Sequence, residues 1–259
     1  SQWDSLLGFA DDPRFQLVVG DMRDAATVQN ALTDVTDVIL LAGLVGDPIT
    51  HQYPEESKLA NLDGVRQVIQ SCLAKEVKQL IFASTCSNYG LVPDGVIADE
   101  NTPLEPLSLY AEHKVQIEQE LLSVGGIVET DITVLRFATA FGLSPRMRLD
   151  LTISHFACDA VREGELQIYD ADTWRPYCHV RDFARVVTRV LEMPVSDVYF
   201  NVFNAGGDTN NFTKKMIVDA VQDEINTGTV NYIEGGFDRR NYRVDFTKIA
   251  NTLYFKPHY

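Results

Sequence analysis

Basic residues are scarce in this sequence: 22 Lys and Arg stand against 37 Asp and Glu, for a formal net charge of −15. A surface that covers a polyanion needs clustered cations, so a broad nucleic-acid or anionic-membrane interface is excluded. A small anionic ligand is not, because a few local arginines can hold one diphosphate. Cysteine is sparse as well. Cys72, Cys86, Cys158 and Cys178 form no Cys-x-x-Cys pair and join no histidine-rich cluster. That pattern predicts no metal site and reduced thiols in a cytoplasmic protein. No apolar run approaches the ~20 residues that a membrane-spanning helix requires, and no secretory leader is legible at the start.

What is present is enough for a sizeable core: 259 residues, 45% of them hydrophobic. Short, nearly continuous apolar runs occur at Gln16 to Gly20, Val38 to Ala42, Leu80 to Ala83 and Ile132 to Phe137. Such runs suit strands buried on both faces of a parallel sheet. Helical spacing separates them over Ala25 to Leu32, Glu55 to Ala74 and Tyr110 to Val124. Strands alternating with helices predict an α/β, Rossmann-type doubly wound sheet. After Gly142 the texture changes. A helix is expected over Leu151 to Val161, a strand over Leu166 to Tyr169 and a helix over His179 to Leu191; a strand over Phe200 to Phe203 and a helix over Thr213 to Ile225 come next. The expected division is a main domain over residues 1–142 plus about 178–203. A smaller substrate lobe takes about 143–177 and 204–259.

The local signal with most chemical content is Tyr110-Ala111-Glu112-His113-Lys114. Residues i and i+4 of a helix share a face, and an ammonium beside a phenol favours the phenolate. Such a phenol can exchange a proton with a substrate hydroxyl. Upstream, the apolar strand ending Phe82-Ala83-Ser84-Thr85 runs directly into hydroxyl residues, and ligands of open α/β sheets bind beyond the carboxyl ends of strands. A hydroxyl turn that merely caps the strand fits Thr85 equally well at this level. Asn204-Ala205-Gly206-Gly207 lacks the lysine and spacing of a phosphate loop and reads as a tight turn. His179 reads as a structural histidine.

Several motifs occur together in one order: Gly20-Asp21-Met22-Arg23-Asp24, Leu41-Ala42-Gly43-Leu44, Asn61, Ser84-Thr85-Cys86-Ser87-Asn88-Tyr89-Gly90, Tyr110 with Lys114, Leu135-Arg136-Phe137, and Trp174-Arg175-Pro176-Tyr177 before His179-Val180-Arg181-Asp182. In this the chain resembles the extended short-chain dehydrogenase/reductases of the NAD-dependent epimerase/dehydratase family. The resemblance implies NAD or NADP as cofactor and a nucleoside-diphosphate sugar as substrate, in a homodimer paired through the helices around Glu55 to Ala74 and Tyr110 to Val124. It implies Thr85, Tyr110 and Lys114 as catalytic residues. Asp21, Met22, Leu41, Ala42, Gly43, Asn61 and Ala83, with Tyr110 and Lys114, would meet the cofactor. Thr85, Ser87, Thr139, Arg175 and Arg239 would meet the substrate, Arg175 on the diphosphate.

The departures from the family pattern carry information too. No glycine-rich dinucleotide fingerprint precedes Gly20, and Ser1 to Ala10 resembles the segment after the second strand of the family, so the chain reads as lacking the first β-α-β portion. Cys86 and Ser87 stand where sugar-nucleotide 4,6-dehydratases carry Asp and Glu, which argues against dehydration; Cys86 reads as a packed thiol. The expected reaction is epimerisation through a transient keto sugar. A keto-sugar reductase and a non-catalytic nucleotide-binding relative remain the alternatives.

Overall fold

A computed structural model describes residues 8–225, 229–236 and 238–259. In chain order the strands are β1 (Asp37–Leu40), β2 (Gln79–Thr85), β3 (Ile97–Ala98), β4 (Asp131–Phe137), β5 (Thr139–Phe141), β6 (Glu165–Tyr169), β7 (Trp174–His179), β8 (Asn201–Ala205), β9 (Asn211–Thr213), β10 (Thr229–Ile233) and β11 (Arg243–Val244). The helices are α1 (Ala25–Ala31), α2 (Asp47–Gln52), α3 (Pro54–Lys58), α4 (Val65–Ala74), α5 (Leu109–Ser123), α6 (Thr152–Arg162), α7 (Val180–Glu192), α8 (Val195–Val198), α9 (Lys214–Glu224) and α10 (Thr247–Thr252).

Strands β1, β2, β4 and β8 form one parallel sheet in the order β1-β2-β4-β8. Alternation along each strand explains its continuous apolar run. Leu80 and Phe82 of β2 join Ile132 and Val134 in a core beneath Val65, Val68 and Ile69 of α4 and Ile117 and Leu121 of α5. Ile81, between them, faces the other way, toward Leu135, Phe203 and the α7 residues Val186 and Val190. The sheet is thus covered on both faces, as parallel sheets require.

The run from Gln16 to Gly20 departs from expectation: it forms no strand, and Leu17, Val18 and Val19 are 49%, 49% and 76% exposed. A strand exists only by pairing, and no described strand lies alongside this run. The expectation for Ser1 to Ala10 falls, over residues 1–7, outside the described residues. The helix expected from Glu55 to Ala74 is continuous but not uniform. Between α3 and α4 it widens into a π-turn over Leu59–Gly64, an insertion often found at functional sites.

A second group of strands, outside the main sheet, comprises the three-stranded sheet β5-β7-β9 and the parallel pair β6-β10. Its core packs Phe156 and Ala160 of α6 and Ile217 and Val218 of α9 around Leu166, Ile168 and Tyr177. Strand β7 passes without a loop into α7, whose Val186 and Val190 pack on the main sheet. Among the described residues no helix is long and apolar enough to cross a membrane.

Candidate active site

The carboxyl end of β2 sets the site. Thr85 ends the strand, and its Oγ1 accepts the Ser87 amide at 3.1 Å, capping the short 3₁₀ turn Cys86–Tyr89. The capping role and a hydroxyl at the strand end thus coincide at one residue. Helix α5 begins beside it. Ser108 caps the helix by accepting the Ala111 amide at 3.3 Å, which places Tyr110 in the first turn and Lys114 one turn on. Lys114 Nζ donates to the Ala83 carbonyl at 2.6 Å and lies 5.9 Å from the centre of the Tyr110 ring. Lys114 therefore joins the first turns of α5 to the end of the strand that Thr85 closes. Lys114 is 5% exposed, and burial pushes its pKa down to about 8.

Beneath them lies a buried polar network. Ser84 Oγ donates to Glu118 at 2.9 Å, Arg136 Nε donates to the same carboxylate at 3.0 Å, and Arg136 Nη1 donates to the Tyr89 hydroxyl at 2.9 Å. Glu118 stands one turn beyond Lys114, so this ion pair fixes α5 against β2 and β4.

On the β1 side, Leu41, Ala42 and Gly43 leave the sheet as an exposed ledge. Asn61 holds the ledge from below: its Oδ1 accepts the Leu44 amide at 2.7 Å and its Nδ2 donates to the Leu44 carbonyl at 2.9 Å. Gly43 has φ +157°, and a Cβ there would stand 2.8 Å from Asn61 Oδ1. The ledge approaches Asn61 so closely that only glycine fits. Asn61 also donates to Ser57 Oγ at 3.2 Å, and Ser57 meets His113 Nδ1 at 3.3 Å, tying the ledge to α5. Met22 packs half-buried against the core beside Gly64. Asp21 is engaged by Arg23, whose Nε donates to it at 2.9 Å and holds its carboxyl down at about 2.

The resemblance assigns this exposed ledge, with Ala83, Tyr110 and the buried Lys114, to a dinucleotide. No glycine-rich strand-to-helix turn stands among the described residues to meet the pyrophosphate.

Across the cleft, Arg175 of β7 is 6% exposed and stacks its guanidinium over the Tyr242 ring at 5.0 Å. Arg240 Nη1 donates to Ser87 Oγ at 3.2 Å, and Ser87 Oγ lies 3.4 Å from the Tyr242 hydroxyl. The cation that reaches Ser87 is Arg240. Arg239 is exposed and turned to a separate cavity of about 450 Å³ shared with Asp170, Asp172 and Trp174. The two arginines stand in an irregular segment ahead of β11, and its path sends their side chains to different surroundings. Thr139 lies half-buried in β5 opposite Tyr177. A further cation, Arg148, was without a sequence signal. It interacts electrostatically with Tyr110, forms a forked pair with Asp150 at 2.7 and 2.6 Å, and approaches Gly46.

Cys86 is buried, donates to the Arg136 carbonyl at 3.1 Å, and is driven far above the ordinary thiol range by burial, a packed and unreactive group. His179 caps α7 by accepting the Arg181 amide at 3.2 Å and stacks on Tyr259. Gly206 sits so close to the Phe246 ring that a Cβ would stand 2.6 Å from it, which accounts for the glycine in the turn after β8. All four cysteines are free, and no metal-binding cluster occurs among the described residues.

The NAD dependent epimerase/dehydratase family model matches residues 4–206, and the chain belongs to that family. It is 26% identical over 253 residues to the low-salt glycan biosynthesis protein Agl12 of Haloferax volcanii, covering 95% of this chain and 78% of that protein. It is 28% identical over 187 residues to a probable UDP-glucuronate 4-epimerase of Rhizobium meliloti, covering 71% of this chain but 54% of that one. Among solved structures, a dTDP-glucose 4,6-dehydratase from Streptomyces venezuelae with NAD bound superposes with a TM-score of 0.86 at 22% identity, over 98% of this chain and 78% of that one. The UDP-glucose 4-epimerase of Thermus thermophilus in complex with NAD gives 0.79 at 22% identity, over 92% and 78%. These two likenesses establish the Rossmann-type fold.

Proposed function

We propose that this protein is an NAD(P)-dependent epimerase of a nucleoside-diphosphate sugar, working through a transient keto intermediate. The observation that carries the reading is the Lys114 ammonium anchored on the Ala83 carbonyl one turn from Tyr110, at the strand end that bears Thr85. A bound nicotinamide would accept a hydride from the sugar carbon and return it. Tyr110 takes the proton of the sugar hydroxyl as that carbon is oxidised and gives it back on reduction. Thr85 holds the same oxygen by a hydrogen bond, and Lys114 favours the phenolate by its charge. Arg175 and Arg240 grip the diphosphate, leaving the sugar ring free to present its other face. A homodimer through the α4 and α5 helices belongs to the same reading.

Ser87 and Cys86 favour epimerisation over dehydration, since neither is a carboxylic acid and Cys86 is occupied by a main-chain carbonyl. The test is conversion of UDP- or dTDP-sugar epimers with NAD, monitored by product chromatography and nicotinamide absorbance. Interconversion without net absorbance change supports the reading, and Tyr110→Phe should abolish it while sparing substrate binding. Stoichiometric consumption of NADPH with a keto-sugar nucleotide, without interconversion, assigns a reductase instead.

A further inference from the structure

Three cations gather on the lobe side of the cleft in a chain that is otherwise strongly acidic: Arg175, Arg240 and Lys214. The carboxylate among them belongs to Asp238. Its Oδ1 accepts Arg240 Nε at 2.8 Å and its Oδ2 accepts Arg240 Nη2 at 2.8 Å, a forked pair. The same Oδ1 lies 3.0 Å from Arg175 Nη2. That second approach is close in distance but out of line, so Arg175 Nη2 is buried without a hydrogen-bond acceptor among the described residues. The Arg175 side chain is only 7% exposed. Asp238 thus neutralises Arg175 without satisfying it, and a buried donor left unpaired is costly. The arrangement invites an anion with more acceptors than one carboxylate offers.

The electrostatics agree. Burial raises the Asp238 pKa, but the Arg240 hydrogen bonds and the charge of Arg175 outweigh it and hold the carboxyl far below its usual range. Lys214, which donates to the Tyr169 carbonyl at 2.7 Å, is lowered by burial and by the charge of Arg175. On its outer side Asp238 lines the cavity that also contains Asp94, Asp170, Asp172 and Glu234. A displaced Asp238 carboxylate would swing toward other carboxylates, so displacement is opposed.

We propose that Asp238 is an internal competitor: it occupies the gap between Arg175 and Arg240 until a ligand with two phosphoryl groups displaces it. Each phosphoryl group takes one guanidinium, and together they replace the carboxylate. A ligand with one phosphoryl group can satisfy Arg175 but leaves Asp238 on Arg240, and it gains less. The proposal rests on reading this cleft as a diphosphate site, and adds the internal contact that a diphosphate must break before it binds.

The experiment is calorimetric titration of the full chain and of Asp238→Asn with inorganic pyrophosphate, inorganic phosphate, UDP and UMP at fixed ionic strength. The wild-type protein should prefer pyrophosphate over phosphate, and UDP over UMP, by ~100-fold. Asp238→Asn should tighten the double-phosphoryl ligands by ~10-fold and the single ones by ~3-fold or less, widening both preferences. Unchanged ratios, or equal weakening of all four ligands, would overturn the proposal and leave Asp238 as a support for the arginines. Binding of pyrophosphate but not UDP, with the preference for pyrophosphate over phosphate widening in the variant, would uphold the role of Asp238 while refuting the nucleotide-sugar reading. Should Asp238→Asn not fold unaided, pyrophosphate should restore its thermal transition where phosphate does not; restoration by neither overturns the proposal.

Discussion

Lys114 Nζ donates to the Ala83 carbonyl at 2.6 Å, so the second turn of α5 is pinned to β2 two residues before Thr85. This bond lets a buried lysine stay charged, and it sets two pH dependences of opposite sign. Burial lowers the Lys114 pKa to about 8, whereas an unfolded lysine titrates near ~10.4. The folded state therefore binds this proton less readily than the unfolded one. The resulting penalty on folding is present below about pH 8 and is relieved as the pH rises from there toward ~10.4. Catalysis needs the charged form, so turnover should fall as the pH rises through about 8, in the window where stability increases. Urea denaturation and kcat measured between pH 7 and 10.5 check both slopes. Lys114→Met should flatten the stability slope and lower kcat by ~100-fold or more, while Lys114→Arg should carry the alkaline fall of kcat upward. A kcat that climbs steadily through this window in the wild-type protein would refute the charge requirement.

The Glu118–Arg136 pair is buried to 2% and 5% side-chain exposure. Breaking such a pair strands a charge, and Arg136→Met should destabilise the protein by ~3–5 kcal/mol in urea denaturation. Replacing both partners, as Glu118→Leu with Arg136→Met, should recover much of that loss, because the desolvation of both charges is then avoided. The cycle isolates the coupling, and simple additivity of the two single losses would contradict it.

How much of this was legible in sequence depended on whether the relevant force is local. Leu80, Ile81 and Phe82 announce a strand buried on both faces, and Tyr110 with Lys114 announces a shared helical face; both come from spacing alone. Gln16 to Gly20 looks equally strand-like, yet pairing is a non-local event and the run lies unpaired with Val19 exposed. Nothing in the spacing of Glu118 and Arg136 reveals that they meet. The choice between Arg239 and Arg240 was likewise hidden. It turns on which of two neighbours faces Ser87, and that is set by the path of an irregular segment. Asn61 was legible only through the family resemblance. Its grip on Leu44 depends on the π-turn, which the periodicity of Glu55 to Ala74 does not display.

Arg175→Lys should raise KM for the nucleotide sugar by ~10–100-fold with little change in the affinity for NAD. A lysine keeps the charge but loses the planar fork and the stacking on Tyr242. Initial-rate kinetics with each substrate varied in turn separate the two constants. A parallel rise in both, accompanied by a lowered melting temperature, would assign Arg175 a folding role instead.

The Asn61 amide makes both of its ledge contacts to one residue, Leu44, at 2.7 and 2.9 Å. Asn61→Leu is close in volume but leaves the half-buried Leu44 amide and carbonyl without these partners. An unpaired buried polar group costs ~1–3 kcal/mol, so the variant should lose up to about that much stability. The ledge of Leu41, Ala42 and Gly43 should also loosen, because Gly43 gains its close approach from Asn61. The resemblance assigns this ledge to the cofactor and Arg175 to the substrate diphosphate. The kinetic signature should therefore be a KM for NAD raised by ~10-fold, with the KM for the nucleotide sugar unchanged. Asn61→Asp discriminates further: its carboxylate still accepts the Leu44 amide but cannot donate to the Leu44 carbonyl, so it should fall between the wild-type protein and Asn61→Leu in both readouts. Equal shifts in the two KM values would place the effect of Asn61 in general folding rather than in the ledge.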